Sequence, residues 1–270
     1  MQGITRPDST GLAVSAAMSG QVLLERRNGV AVITVSDPDR RNALTIDLSS
    51  DLADAVVECE EDERVHAIVV TGAPPAFCAG ADLTTLGEAQ EEGLRRIYSG
   101  FLAVAACPLP TIAAVAGPAV GAGLNLALAC DVRLAGPNAR FDARFLQLGI
   151  HPGGGMTWML QRLVGPQTAA AMALFGQVLD AEAAVRAGLV WQAVEGGPED
   201  VVEAAVSLAA AAVAAPRGLV MTTKRTMRTT ATLDEHPAAV EAEIVPQLAS
   251  MEQPAFAERL AAMRRRISRK

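Results

Sequence analysis

The chain has 270 residues, of which 50% are hydrophobic, 20% are charged and 3% are aromatic, and its formal net charge at pH 7 is −7. An acidic chain without a basic domain is not expected to bind nucleic acid, and so few aromatic side chains argue against stacking on bases. The composition favours one soluble globular domain with an aliphatic core.

The cysteines Cys59, Cys78, Cys107 and Cys130 lie in apolar contexts and show no metal-binding spacing. Such thiols are typical of a reduced, cytoplasmic protein, and we expect no metal site. No uninterrupted apolar run reaches transmembrane length, so no membrane association is expected. Residues 1–20 lack the hydrophobic core of a signal peptide and are interpreted as a flexible extension.

Strand and helix patterns alternate through the first part of the chain. The predicted elements are a hairpin (21–36), a helix capped by Thr45 (45–62), a strand (65–72), an amphipathic stretch (to about 106), a strand (109–117), a turn with a helix (117–130) and a strand (131–136). The hairpin is predicted from two β-branched runs around Asn-Gly. This order favours an α/β sheet with mostly parallel pairing.

Strand patterns nearly vanish after about residue 165, where only 189–195 is compatible with an extended segment. The remainder is rich in alanine at helical spacing and ends in an amphipathic helix over 254–267. We therefore expect an α/β core over 21–205 and a helical region over 206–270. The apolar face of the last helix needs a packing partner, for which another subunit is one candidate.

Two glycine-rich turns each follow a predicted buried strand: CAGADL at 78–83 and GPAVGAGLNL at 117–126. Small residues let a ligand approach the backbone, and N–H groups at a helix N-terminus favour negative charge. Neither turn fits a P-loop or a dinucleotide-binding pattern. If neighbouring strands carry the turns, their amides converge into an oxyanion hole. The alternative is a pair of tight structural turns.

The segments DPDRRNAL, AFCAGADL, TIAAVAGPAVGAGLNLALACDVRLAG and FDARFLQLGIHPGGGMTWMLQRLVG resemble, in this order, those of the crotonase (enoyl-CoA hydratase/isomerase) superfamily, over residues 21–265. The resemblance implies an α/β crotonase (ClpP-like) fold of repeated ββα units. It also implies a helical C-terminal region that forms homotrimers or hexamers. The implied partner is an acyl-CoA or enoyl-CoA thioester, so coenzyme A enters as part of the substrate and no separate cofactor is implied.

The resemblance assigns the two oxyanion-hole N–H groups to Ala81 and Ala122. The carbonyl of Ala79 matches the position that contacts the adenine amino group. Arg40 and Arg41 fall in the loop that runs along CoA, although both are equally compatible with ordinary surface arginines. Further substrate contacts implied by the same segments are Ala43, Gly80, Asp82, Leu83, Pro118, Val120, Gly121, Phe145 and Gly153.

The sequence departs from the family at the two glutamates that activate water in a hydratase. The first position holds Asn125, whose amide can orient water but cannot accept its proton. The second holds Phe145, which has no acid–base chemistry. Such assistance is worth about 10²–10⁴-fold in rate, so we expect an oxyanion hole with poor hydratase activity.

Two ionisable side chains are candidates to replace the glutamates. His151 lies in a loop expected near the acyl group, where a histidine can act as a general acid or base, although a backbone hydrogen bond is an alternative role for it. Asp142 lies three residues before Phe145 and is otherwise a structural carboxylate. Asp82 is expected to cap the following turn rather than act as a base.

These observations predict a thioester-binding enzyme of the hydratase/isomerase type. Hydration, double-bond isomerisation and thioester hydrolysis all remain open, with His151 or Asp142 moving the proton. A non-catalytic acyl-CoA binding or carrier protein is the alternative from another class, and Phe145 favours it by making the acyl pocket more apolar. A purely oligomeric scaffold is a third alternative, which the intact CAGADL loop argues against.

Overall fold

The computed structural model describes residues 20–268, so nearly all of the expected extension at 1–20 lies outside the described residues. The strands are β1 (Gln21–Arg27), β2 (Val30–Ser36), β3 (Ala67–Gly72), β4 (Thr111–Val115), β5 (Pro118–Val120), β6 (Val132–Ala135), β7 (Arg140–Asp142), β8 (Leu179–Asp180) and β9 (Gln192–Ala193). The helices are α1 (Ile46–Glu61), α2 (Leu83–Glu88), α3 (Glu91–Ala106), α4 (Ala122–Ala129), α5 (Met156–Phe175), α6 (Ala181–Arg186), α7 (Pro198–Val213), α8 (Arg217–Thr230), α9 (His236–Met251) and α10 (Pro254–Ile267).

The main sheet of the described chain has the strand order β1-β2-β3-β4-β6-β9. β1 and β2 form the antiparallel hairpin predicted from the Asn-Gly turn, and every later pair in this sheet is parallel. The side chains of β3 and β4 are buried along their whole length, as expected for parallel strands covered on both faces. The predicted α/β fold with mostly parallel pairing is confirmed.

A small second sheet, in the order β5-β7-β8, departs from the sequence prediction of a plain turn before α4. Strands of two or three residues carry no readable alternation, and their pairing depends on segments distant in sequence. Here β5 pairs in parallel with β7, and the Gly121 N–H donates to the Asp142 carbonyl over 2.9 Å. This pairing fixes the backbone immediately before α4.

Helices cover both faces of the main sheet. α1 begins at its predicted cap, where the Thr45 hydroxyl accepts a hydrogen bond from the Leu48 N–H over 3.1 Å, and it packs with α3 on one face. α7 packs on the other face through Val201, Ala205 and Ala209. The domain boundary drawn from the sequence at 205/206 therefore falls inside a helix that belongs to the core.

The C-terminal helices leave much apolar surface exposed. α9 and α10 contain no buried residue, and Val245 and Ile267 are 72% and 69% exposed. Within residues 20–268, each helix taken alone is too short or too polar to span a lipid bilayer. The pair α7 and α8 reaches that length and composition only together, across a bend of 102°.

Candidate active site

The two glycine-rich turns lie at the same edge of the main sheet. β3 and β4 are adjacent and parallel, and one turn follows each strand. Backbone hydrogen bonds join the turns, because the Cys78 N–H donates to the Pro118 carbonyl over 3.1 Å and the Val120 N–H donates to the Cys78 carbonyl over 3.0 Å. The first and second turns are therefore held together at the carboxyl ends of their strands.

Gly80 shows how closely the turns approach. Its φ of +110° is disfavoured for residues with a side chain, and a Cβ atom built there would lie 2.9 Å from the Val120 oxygen and 3.7 Å from the Ala122 nitrogen. A glycine at this position brings the backbone beside Ala81 against the start of α4. The backbone next to Ala81 therefore lies close to the Ala122 nitrogen, so the two candidate N–H groups belong to neighbouring segments.

Both N–H groups are free to bind a ligand. Ala122 is the first residue of α4, where backbone N–H groups have no intrahelical acceptor. The hydrogen bonds around Ala81 instead run from the Leu44 N–H to the Gly80 carbonyl and from the Asp82 N–H to the Leu44 carbonyl, over 2.7 and 2.9 Å. Within residues 20–268, neither the Ala81 nor the Ala122 N–H donates to any acceptor. The α4 dipole also favours negative charge at this end.

A cavity of about 390 Å³ opens beside both alanines, a size suited to a small-molecule group. Its wall includes predicted site residues: Ala79, Gly80, Ala81, Leu83, Val120, Gly121, Ala122, Asn125, Phe145, His151 and Gly153. Residues not assigned to the site from the sequence complete the wall: Leu86, Ala89, Leu94, Ile97, Tyr98, Ala143, Arg144, Leu148 and Ile150. Helix α3 supplies three of these additional residues, Leu94, Ile97 and Tyr98.

The remaining predicted site residues lie away from the cavity wall: Arg40, Arg41, Ala43, Asp82, Pro118 and Asp142. The Asp82 carboxylate caps α2 by accepting a hydrogen bond from the Thr85 N–H over 2.9 Å, and this bond lowers its pKa. Arg40 is exposed and pairs with Asp37 at 2.7 Å. The geometry at Asp82 is therefore that of a cap, in line with the role favoured from the sequence.

Asp142 is buried behind the cavity wall rather than on it. Its carboxylate accepts a hydrogen bond from the Arg144 Nε over 2.8 Å, and the Arg144 side chain lines the cavity in its place. Arg144 has a left-handed φ of +54°. The carboxylate of Asp142 therefore orients Arg144, which corresponds to the structural alternative considered for it.

His151 reaches the cavity from an exposed loop. Its Nδ1 lies 2.7 Å from the Pro152 carbonyl oxygen, so the expected backbone hydrogen bond is present. A carbonyl oxygen only accepts, and Nδ1 must therefore carry the proton of this bond. In the neutral ring this leaves the Nε2 lone pair available as a base. The backbone contact and a role in proton transfer are thus compatible.

Asn125 lies on α4 one turn after Ala122 and is 1% exposed. Its Nδ2 donates to the Gly153 carbonyl over 2.9 Å, whereas its Oδ1 is buried and has no partner among the described residues. The ionisable side chains on the cavity wall belong to Tyr98, Arg144 and His151, and no carboxylate lines it in this part of the chain. The arrangement can polarise a carbonyl but lacks a carboxylate pair to activate water.

Tyr98 and Asn42 are polar residues of the site region that the sequence did not assign to it. Tyr98 projects from α3, three residues before the buried Phe101. This spacing places both residues on one face of an amphipathic helix, which is the sequence pattern that could have indicated that Tyr98 faces the interior. Asn42 is fully buried, and its Nδ2 donates to the Ala73 and Ala76 carbonyls, each over 2.7 Å. Its Oδ1 accepts from the Asp37 N–H over 2.8 Å. Asn42 therefore anchors the loop that leads to the first turn.

Comparisons with known proteins show the family to which the chain belongs. The model of the family described as "Enoyl-CoA hydratase/isomerase" matches residues 25–262. A Mycobacterium tuberculosis protein named "Probable enoyl-CoA hydratase" is 56% identical over 254 residues, covering 91% of this chain and 98% of that protein. A "Short-chain-enoyl-CoA hydratase" of Clostridium acetobutylicum is 38% identical over 193 residues, covering 70% and 73%.

The fold is also shared with solved structures. The crystal structure of an enoyl-CoA hydratase from Bacillus anthracis superposes with a TM-score of 0.84 at 27% identity, covering 91% of this chain and 96% of that chain. The family match spans both glycine-rich turns, the cavity wall and most of the C-terminal helices. The chain therefore belongs to the enoyl-CoA hydratase/isomerase family, with the crotonase fold.

Proposed function

We propose that the chain binds an acyl-CoA or enoyl-CoA thioester and places its carbonyl oxygen between the N–H groups of Ala81 and Ala122. The observation that carries this proposal is the meeting of two unpaired backbone donors at one end of a cavity of about 390 Å³. Donors fixed before the substrate arrives stabilise the charge that develops on the oxygen of an enolate or a tetrahedral intermediate. Removing one such donor from an enzyme costs about 10²–10³-fold in rate.

The rest of the thioester fits the remaining surroundings. The acyl group would occupy the apolar part of the cavity, where Phe145 takes the place of an acid. The CoA portion would extend out of the cavity past Ala79 toward the exposed side chains of Arg40 and Arg41, whose positive charges suit phosphates. CoA thus belongs to the substrate, and the proposed reaction needs no further cofactor.

Proton transfer in this proposal falls to His151. Its ring lines the cavity, and its hydrogen bond to Pro152 leaves Nε2 free in the neutral form. Asp142 is less suited, because it is buried off the cavity wall against Arg144. The proposed activity is hydratase- or isomerase-like, and the names of the relatives support this class. We expect hydration to be slow because the site lacks a pair of carboxylates.

Calorimetric titration with a short acyl-CoA and with free CoA tests the binding proposal. We expect the thioester to bind more tightly than free CoA, because only the thioester presents a carbonyl to the two amides. If the thioester does not bind even at high micromolar concentration, the proposal is wrong.

An assay of enoyl-CoA hydration and isomerisation tests the role of His151. We expect His151→Ala to lower turnover about 10²-fold or more while acyl-CoA affinity is retained. Turnover that is unchanged in the variant would rule out His151 as the proton-transfer group.

A non-catalytic acyl-CoA carrier is the second candidate. The observation that favours it is the absence of any carboxylate from the cavity wall within residues 20–268. If the protein is a carrier, wild type will bind the thioester but turn it over no faster than Ala122→Pro, a variant that lacks one of the two N–H donors. Measurable turnover that this variant abolishes would favour the enzyme.

Homotrimeric or hexameric assembly is part of the proposal. The exposed apolar side chains of α9 and α10, including Val245, Leu248, Met263 and Ile267, support it because a monomer would leave them in water. Light scattering after gel filtration gives the mass directly, and a monomeric mass at micromolar concentration would contradict the assembly.

A further inference from the structure

Arg144 brings a permanent positive charge to the wall of the cavity. Its neighbours in sequence on this wall are the apolar residues Ala143, Phe145, Leu148 and Ile150. An arginine stays protonated at any working pH, and within residues 20–268 the wall holds no carboxylate. The proposed polarisation of the carbonyl and the proposed proton transfer both leave this charge without a role.

Asp142 holds the guanidinium of Arg144 by one edge only. Its buried carboxylate accepts hydrogen bonds through Oδ2 from the Arg144 Nε, over 2.8 Å, and from the Arg144 Nη2. A planar guanidinium has a second edge, formed by Nη1 and the other Nη2 hydrogen, which also matches the two oxygens of a carboxylate. No described residue accepts a hydrogen bond from Nη1, and about half of the side chain is exposed. The second edge is therefore open to a ligand.

The backbone at Arg144 is unusual for a residue with a long side chain. Its φ of +54° and ψ of −8° are left-handed values, which residues with a Cβ atom adopt only at a cost. Non-glycine residues held in this region cluster at functional sites. Because the Asp142 carbonyl accepts the Gly121 N–H immediately before α4, the short loop after β7 keeps Arg144 close to the candidate oxyanion hole.

We infer that Arg144 binds a carboxylate at the far end of the acyl chain, so that the preferred ligand is the mono-thioester of a dicarboxylic acid. A carboxylate accepts two hydrogen bonds from the open edge, whereas a terminal methyl group accepts none. The chain has a net charge of −7, which repels a further negative charge unless a local cation offsets it. This inference rests on the proposed function, which places the thioester carbonyl at Ala81 and Ala122.

Calorimetry with paired thioesters tests the site. Glutaryl-CoA is compared with pentanoyl-CoA, and adipoyl-CoA with hexanoyl-CoA, because the two members of each pair have equally long acyl chains and differ in the terminal carboxylate. We expect wild type to bind the carboxylated member at least about 5-fold more tightly in one pair or in both. This factor is that of a charge-assisted pair which water partly screens.

Variants of Arg144 assign the preference to its side chain. In Arg144→Gln, which removes the charge and the second edge, the ratio of the two affinities should fall to about 1 or below. Arg144→Lys keeps the charge but not the planar fork, so its ratio should lie between those of wild type and Arg144→Gln. Thermal unfolding of each variant shows whether it is folded.

The matched control is Arg140→Gln. Arg140 is an exposed arginine on β7 that lies off the cavity wall, so its loss changes the net charge by the same amount without altering the cavity. This variant should retain the wild-type ratio of affinities. A preference that Arg140→Gln abolishes as fully as Arg144→Gln would mean that net charge causes it, and would overturn the inference.

The outcomes distinguish this inference from the proposed function. Equal affinities of wild type within both pairs of thioesters, or a preference that survives Arg144→Gln, would overturn the carboxylate site while leaving thioester binding in place. Failure of wild type to bind any of the four thioesters would overturn the proposed function and the inference together.

Discussion

At the scale of single residues, the proposed site combines polarising backbone donors with side chains that lack a carboxylate. In this proposal Ala81 and Ala122 act through their N–H groups, which a change of side chain does not remove. Asn125 and Phe145 line the cavity, at the positions where the resemblance to the family implies glutamates. Hydration should therefore be limited by acid–base chemistry rather than by carbonyl polarisation.

Restoring the carboxylates tests this limit. We expect the double variant Asn125→Glu/Phe145→Glu to raise the rate of enoyl-CoA hydration at least 10-fold, because acid–base assistance is worth about 10²–10⁴-fold. Each single variant should gain less, since one carboxylate cannot act as both acid and base. A steady-state assay of all three measures the gain. Unchanged hydration in a double variant that still binds acyl-CoA would contradict this view.

Asn42 links the stability of the chain to the site. Asn42→Ala removes the side-chain hydrogen bonds to Asp37, Ala73 and Ala76 and places alanine at a φ of +59°. We expect urea denaturation to show a loss of about 3 kcal/mol together with weaker thioester binding. Asn42→Gly is the matched control, since glycine accepts this φ but makes none of the bonds. A glycine variant as stable as wild type would show that the hydrogen bonds contribute nothing.

The sequence predicted that the two glycine-rich turns converge if neighbouring strands carry them, and β3 and β4 are neighbours. Gly80, Ala81 and Ala122 line the cavity at that point, and their role in binding stays a prediction. Tyr98 and Arg144 were not assigned to the site, because their position on the cavity wall results from how α3 and the loop after β7 pack against α4. A sequence read in local windows does not contain that packing.

At the scale of elements, most helices and strands follow from their patterns, and the exceptions are set by distant contacts. α1 and α10 lie within about one residue of the ranges expected from capping and periodicity. β5, β7 and β8 were not predicted, since each is stable only through pairing with the others. α7 continues past the expected domain boundary because its apolar stripe runs on to Ala209 under the sheet.

A buried lysine on α8 forms polar contacts with the core. Lys224 is 7% exposed, and its Nζ lies 2.7 Å from the Leu109 carbonyl oxygen and 2.6 Å from the Asp131 carboxylate. We expect Lys224→Met to lower the free energy of unfolding by about 1–3 kcal/mol, because the Leu109 carbonyl and the Asp131 carboxylate both lose a charged donor, although Asp131 keeps its hydrogen bonds from Thr111.

The matched control for this prediction is Arg186→Met, which removes an exposed pair with Glu182 at 3.6 Å. Such surface pairs contribute less than about 0.5 kcal/mol. Guanidinium denaturation of both variants measures the difference. Equal stability of the two variants would mean that the Lys224 contacts do not anchor α8.

At the scale of the whole molecule, the buried thiols predict how stability depends on pH. Burial raises the pKa of Cys59, Cys78, Cys107 and Cys130 to about 12. Thiols in the unfolded chain titrate near pH 8.5, so between that pH and about 12 only the folded state keeps its thiol protons. The free energy of unfolding is therefore at its full value below about pH 8.5 and falls as the pH rises toward 12.

Denaturation in reductant at pH 7, 9 and 10 measures this loss. We expect Cys130→Ala to reduce the slope of stability against pH by about 1.4 kcal/mol per unit above pH 9, which isolates one thiol from other titrating groups. A slope identical to that of wild type would contradict the assignment for Cys130.

We propose that the Ala81 and Ala122 amides together polarise a thioester carbonyl. The most direct measurement is the ¹³C NMR chemical shift of the carbonyl carbon in a labelled acyl-CoA. The shift is compared between the free thioester, its complex with wild type and its complex with Ala122→Pro, a variant that lacks one N–H donor. Ala122→Ser retains the N–H and is the control. We predict a downfield shift on binding that persists in the serine variant and shrinks in the proline variant. A bound thioester whose carbonyl resonates at the position of free acyl-CoA would contradict the account.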